Sequence, residues 1–163
     1  MYTKILVPHD GSALASAAVV HAVEIACAMH AEIVLLRLVP SADETLAEFG
    51  VDAIGGWVPE TAELAREALA RTVQRDLVAA HELDGIEAEI EALGGVPRVS
   101  TMLLERPAGE GILQAAAECG ADIVVMSTHG RQGAGTELSA IADYVSRHAT
   151  LPVLLVRPPL IRA

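Results

Sequence analysis

At 163 residues, about half of them apolar, the chain is long enough to close one sizeable core, and one domain over residues 1–163 is expected. Eleven basic against 22 acidic residues give a formal charge of -11, a surface that repels phosphate backbones and anionic lipid and argues against nucleic acid and membrane partners. One Trp, one Phe and two Tyr leave the core to Ala, Val, Leu and Ile and argue against a base-stacking platform.

The N-terminus runs straight into Lys4-Ile5-Leu6-Val7-Pro8, a short aliphatic strand with no charged, apolar leader before it. No apolar run approaches the length of a bilayer span, so a cytoplasmic protein is expected. Ser12 is a candidate N-cap for a helix from Ala13 to His30, and Glu32 to Val39 forms the second strand. Cys27 lies inside that helix and Cys119 near the end of a later one, without metal-ligand or disulfide spacing, as for reduced thiols. Ser41 to Val58, with Gly50, Gly55 and Gly56, has no period and is expected as a loop or lid. Pro59 opens a long helix that Asp84-Gly85 closes. Ile86-Glu87-Ala88-Glu89-Ile90 then alternates like an exposed strand and Gly94-Gly95 suits a turn, the pattern of a small inserted hairpin.

A third main strand is expected around Arg98 to Leu104, followed by a helix that Pro107 opens and Gly120 ends. Asp122 to Ser127 reads as the fourth strand, Thr136 as the cap of a fourth helix carrying Ile141, Tyr144 and Val145, and Val153 to Arg157 as the fifth strand. Nearly continuous apolar strands alternating with helices predict an α/β fold, with an open parallel sheet covered on both faces. Val153, Leu154, Leu155 and Val156 would leave an apolar sheet edge that a second copy covers in a homodimer.

In such sheets ligands bind beyond the carboxyl ends of strands, where the winding reverses. Two segments suit that position. In Val7-Pro8-His9-Asp10-Gly11-Ser12, a strand end meets a helix start, and Asp10 is either a turn residue or a ligand contact. From Val124 to Thr136 a buried strand leads through Ser127, Thr128, His129, Gly130, Arg131, Gly133 and Gly135 toward a helix. This is either a simple turn or a cradle whose backbone N–H groups surround phosphate oxygens.

These segments, with Glu105-Arg106-Pro107-Ala108, Ala121-Asp122-Ile123-Val124-Val125-Met126, His129-Gly130-Arg131 and the C-terminal Arg147 to Arg157, resemble the universal stress protein family. The resemblance implies a Rossmann-like sheet of five parallel strands in the order third, second, first, fourth, fifth. It also implies a homodimer, a role in stress response or signalling and, in one branch, ATP where the first and fourth strands diverge. Pro8, His9, Leu38 and Met126 would then lie against the adenosine portion, with Asp10 placed for a polar contact and Mg arriving with the nucleotide. The branch's pattern of Gly, two residues, Gly, nine residues, Gly and Ser or Thr is only partly kept. Ser127 replaces the first Gly and Gly130 keeps the second. Ser139-Ala140 or Ala140-Ile141 stands for the final pair, depending on a one-residue gap. Gly133, Gly135, Thr136 and Ser139, with Arg131 as the nearby cation, would rebuild part of the cradle.

No serine elbow or His-Glu metal motif is present, so a binding protein is expected, at most a slow ATPase. His9 and His129 end neighbouring strands in the family order, and hydrogen bonding to backbone or ligand is expected of them rather than a metal. The competing function is a homo- or heterodimeric interaction module of the same fold that binds no nucleotide.

Overall fold

The computed structural model describes residues 1–40, 59–96, 98–128 and 139–157. Within them lie β1 (Lys4–Pro8), α1 (Ala13–Met29), β2 (Glu32–Val39), α2 (Pro59–Leu93), β3 (Val99–Glu105), α3 (Ala108–Cys119), β4 (Ile123–Ser127), α4 (Ala140–His148) and β5 (Val153–Val156). The strands form one parallel sheet in the order β3-β2-β1-β4-β5.

Side chains alternate across a strand, and here both faces are apolar. Ile5, Val7, Ile33, Leu35, Ile123 and Val125 point to one face, where α1 brings Ala18, Ala22 and Ala26 and α2 brings Leu83 and Ile90. Leu6, Val34, Leu36, Val124 and Met126 point to the other, against Ile112, Ala115 and Ala116 of α3 and Ala142 and Val145 of α4. Double coverage is why the central strands read as unbroken aliphatic runs. At the sheet edge, β3 alternates in burial, with Thr101, Leu103 and Glu105 exposed.

Ser12 caps α1 as its sequence position predicts, its Oγ accepting from the Ala15 N–H at 3.2 Å. His30, expected as the last residue of that helix, is its C-cap in the left-handed region at φ 56°. Gly120 ends α3 in the same way at φ 68°.

Two expectations fail. The hairpin after Gly85 does not form, because α2 continues to Leu93 before Gly94 and Gly95 adopt positive φ. Ile86 and Ile90 are four residues apart, a spacing that fits both a strand face and a helix face, and with Leu83 they make a helical stripe on the core. A Cβ at Gly85 would meet nothing, so this glycine is an exposed helix position whose cost of about 1 kcal/mol the packing outweighs. The cap of α4 is Ser139, whose Oγ accepts from the Ala142 N–H, and not Thr136. Thr136 and the segment from Ser41 to Val58 lie outside the described residues. Elsewhere the bounds of β3, β4 and β5 move by one residue from those expected.

Asp122 ties β1 to β4 at the end of the sheet away from the cleft, one carboxylate oxygen accepting from Thr3 N–H (2.6 Å), Thr3 Oγ (2.6 Å) and Lys4 N–H (3.0 Å). The Thr3 side-chain and backbone bonds, then that of Lys4, hold its carboxyl below the usual carboxylate range. Asp122→Ala is expected to cost about 1 kcal/mol, near the low end for charged hydrogen bonds because the site is open to solvent. The folded carboxyl is the stronger acid, so this contribution is complete above the ordinary Asp range and disappears as pH falls through the lower folded value. Thermal melts of wild type and variant from neutral pH down to about pH 3 check this, with the difference in Tm closing at the acid end.

Candidate functional site

β1 and β4 pair at Ile5–Ile123 and Leu6–Val124, and then part. Each keeps its outer neighbour: the His9 N–H donates to the Leu36 carbonyl at 2.8 Å, and the Thr128 N–H to the Val156 carbonyl at 2.9 Å. Successive strand N–H groups point to opposite edges, so with His9 turned to β2 the amide of residue 8 would face the gap. Residue 8 is proline, and no donor is stranded there.

The gap opens into a cleft of about 150 Å3. Leu14, Ala15, Leu36, Leu38, Ile112, Met126 and Ile141 give it apolar walls, Pro8 and Ala108 complete them, and His9, Asp10, Ser127 and Ser139 supply polar groups. Of the residues singled out by sequence, Pro8, His9, Asp10, Leu38, Met126, Ser127, Ser139 and Ile141 are brought together here. Ala140, the first residue of α4, is exposed and does not line the cleft. His129, Gly130, Arg131 and Gly133 lie outside the described residues. Sequence reasoning passed over Leu14, Ala15, Leu36, Ala108 and Ile112; the first two follow directly on the Asp10-Gly11-Ser12 turn, and Ala108 opens the helix after Pro107.

Asp10 Oδ1 accepts from the Ser12 N–H at 3.0 Å and from Ser12 Oγ at 2.5 Å. Partial burial pushes this carboxyl up, but the two Ser12 bonds, helped by His9, outweigh it and leave it more acidic than an ordinary Asp. Asp10 thus holds the turn through Oδ1.

The ring of His9 is buried and bonded at both nitrogens. Nδ1 accepts from the Gly11 N–H at 3.1 Å, which places the ring proton on Nε2, 3.3 Å from Ser16 Oγ; that hydroxyl in turn donates to the Ser12 carbonyl. Burial lowers the pKa of His9 most strongly; Asp10 opposes it, Arg37 reinforces it and Glu82 opposes it, with a net shift below the ordinary histidine value. Arg37 Nη1 reaches the His9 carbonyl at 3.4 Å and Nη2 pairs with Glu82 at 3.6 Å, so this cation supports the turn from beneath.

Across the cleft, buried Thr128 accepts the Ser139 N–H on Oγ1 at 3.3 Å, fixing the end of β4 to the start of α4. Sequence reading treated Thr128 only as part of the loop. The Ser139 hydroxyl serves as the cap acceptor for α4 and keeps its own proton to donate.

The universal stress protein family profile matches residues 1–157. The chain belongs to the universal stress protein family. Universal stress protein MJ0531 of Methanocaldococcus jannaschii is 31% identical over 163 residues, covering 98% of this chain and 84% of that protein. A universal stress protein of Thermus aquaticus is 40% identical over 92 residues, 56% of this chain and 62% of that one. Among solved structures of the same fold, hypothetical protein MJ0577 superposes with a TM-score of 0.71 at 24% identity, covering 97% of both chains. A universal stress protein solved in complex with cAMP superposes at 0.60 (20% identity; 96% of this chain, 97% of the other), and one from Archaeoglobus fulgidus in complex with dAMP at 0.55 (19% identity; 94% and 97%). The chain thus has the family fold, and its strand order is the one the resemblance implies.

Gly11 supplies the left-handed backbone that this turn requires. Its φ is +85°, and a Cβ there would stand 2.8 Å from Glu82 Oε2 and 2.9 Å from Arg37 Nη1. Gly11→Ala is expected to cost about 1–2 kcal/mol for the left-handed backbone alone. Denaturant titration should show a lower midpoint, whereas Gly94→Ala, also at positive φ but with open space around it, should lose only the backbone part.

Proposed function

We propose that the cleft binds an adenine nucleotide chiefly through its nucleoside portion, and that the chain works as a cytoplasmic, single-domain stress-response or signalling protein rather than as a catalyst. The observation that carries this reading is the division of the cleft, with apolar walls of Leu36, Leu38, Ile112 and Met126 suited to a flat ring and Asp10, Ser127 and Ser139 suited to sugar and phosphate. Its place at the switch between β1 and β4, and relatives of the same fold in complex with cAMP and dAMP, support it.

Phosphate contacts should be weaker than in relatives with the full glycine pattern. Ser127 brings a side chain where glycine would leave backbone open, and the Ser139 N–H is already given to Thr128. Gly130, Gly133 and Arg131 would supply what phosphate contacts there are, with Mg accompanying a di- or triphosphate. The spent Ser139 donor is also what favours the second reading, an interaction module that binds no nucleotide.

At ligand about a hundredfold above its dissociation constant, binding adds about 2.7 kcal/mol. Tm should then rise by roughly five to ten degrees. AMP, ADP and ATP are expected to give similar shifts, and Asp10→Ala to reduce all three. No shift from any of them at millimolar concentration leaves the interaction module as the function, and a strong effect of ATP alone means that the phosphate cradle is intact.

We further propose that a homodimer forms along β5. Its described strand partner is β4 on one side only, and on this wholly apolar strand Leu154 is 36% exposed. Leu154→Lys is expected to shift sedimentation at micromolar concentration toward monomer; a monomeric wild type would refute the dimer.

A further inference from the structure

The turn that brings Asp10 to the cleft leans on the His9 imidazole, whose Nδ1 accepts a hydrogen bond only while unprotonated. The Gly11 N–H donates to His9 Nδ1 at 3.1 Å, and the same short turn carries Asp10, whose Oδ1 holds Ser12 at 3.0 Å. The turn is also held from β2, where Arg37 Nη1 reaches the His9 carbonyl at 3.4 Å while Nη2 pairs with Glu82 at 3.6 Å. On the far side of the ring, Nε2 is engaged with Ser16 Oγ of α1, so the imidazole cannot turn over without losing that bond as well.

We infer that this turn is a proton-sensitive support for the cleft: protonating His9 at Nδ1 sets two N–H donors against each other, displaces Asp10 and weakens ligand binding. The inference rests on the nucleotide reading of the cleft and adds its regulation.

The charges facing the ring come from three elements. Asp10 in the turn and Glu82 on α2 favour the imidazolium, Arg37 on β2 opposes it, and α1 contributes the uncharged Ser16. Burial outweighs the two carboxylates and keeps the ring neutral at pH 7, below the ordinary histidine range in its titration. Once a proton arrives, the carboxylate that acts on the ring most strongly is Asp10 itself, and attraction to Nδ1–H would pull it away from Ser12. A ligand that needs the neutral ring must in turn lower its proton affinity, so binding and protonation oppose each other by linkage.

Adenosine is the suitable probe, because it has no phosphate to titrate in this range. Its dissociation constant for wild type is expected to rise as the pH falls from about 7.5 to 5, by at most about thirtyfold because the ring titrates below the ordinary histidine value. His9→Asn keeps an acceptor for the Gly11 N–H in its side-chain oxygen but does not titrate, and its adenosine affinity, whatever its level, is expected to be flat over the same interval. In parallel, NMR titration of the full chain should show the Gly11 amide moving with the His9 ring at a pKa below about 6.5 in wild type and staying still in His9→Asn. A Gly11 amide indifferent to His9 overturns the proposal outright. Adenosine binding that is flat in wild type while Gly11 titrates overturns the coupling to the cleft. If adenosine fails to bind at any pH, the nucleotide reading falls with the ligand half of the inference, and the Gly11 titration still decides the conformational half.

Discussion

Everything at the candidate site depends on the parting of β1 and β4. Two adjacent strands of a sheet can separate only if their backbone groups find partners elsewhere, since an unpaired buried amide costs as much as a lost hydrogen bond. Here β1 stays with β2 through His9 and β4 stays with β5 through Thr128, while Pro8 removes the donor that would face the gap. The helices that follow these strands lie on opposite faces, α1 on one and α4 on the other, so neither fills the crevice. A cleft of stable shape follows from sheet order and one proline, before any ligand-specific residue is considered.

What then lines the cleft divides into groups held by packing and groups held by hydrogen bonds. Leu36, Met126 and Ile112 belong to the core on the α3 and α4 face, so the apolar wall is as rigid as that core. The polar side is a relay of short-range bonds, from Arg37 to the His9 carbonyl, from Gly11 to His9, and from Ser12 to Asp10. With a formal charge of -11 over the chain, long-range steering disfavours anions, and recognition has to come from close contact.

Much of this was legible because the signals were local. Ser12, Gly120 and the aliphatic runs mark element ends by chemistry that tertiary structure does not override; Pro8, Asp10 and Ser127 stand in the two strand-end segments, while Leu38 and Met126 enter the site only through what the family resemblance implies. The continuation of α2 past Gly85 was hidden because Ile86 and Ile90 satisfy two periods at once, and only packing beside Leu83 chooses between them. Thr136 and Ser139 both have cap side chains three residues apart, and the observed cap is Ser139, the stronger cap type and the residue whose N–H is fixed to the end of β4 by Thr128. Leu36, Ala108 and Ile112 carry no signal of their own as cleft residues; they arrive there through the pairing of β2 with β1 and the placement of α3 over that face. The Thr128 bond to Ser139 links residues eleven apart, a relation no linear pattern shows.

The central claim is that the apolar wall between β1 and β4 receives an adenine ring. Its most direct test is methyl NMR of the intact protein with AMP, observing Leu14, Leu36, Leu38, Ile112, Met126 and Ile141 against methyls on the opposite face of the sheet, such as those of Leu83 and Ile90. The account predicts saturable shifts confined to the cleft set. Shifts centred on the opposite face, or none at saturating AMP, would contradict it.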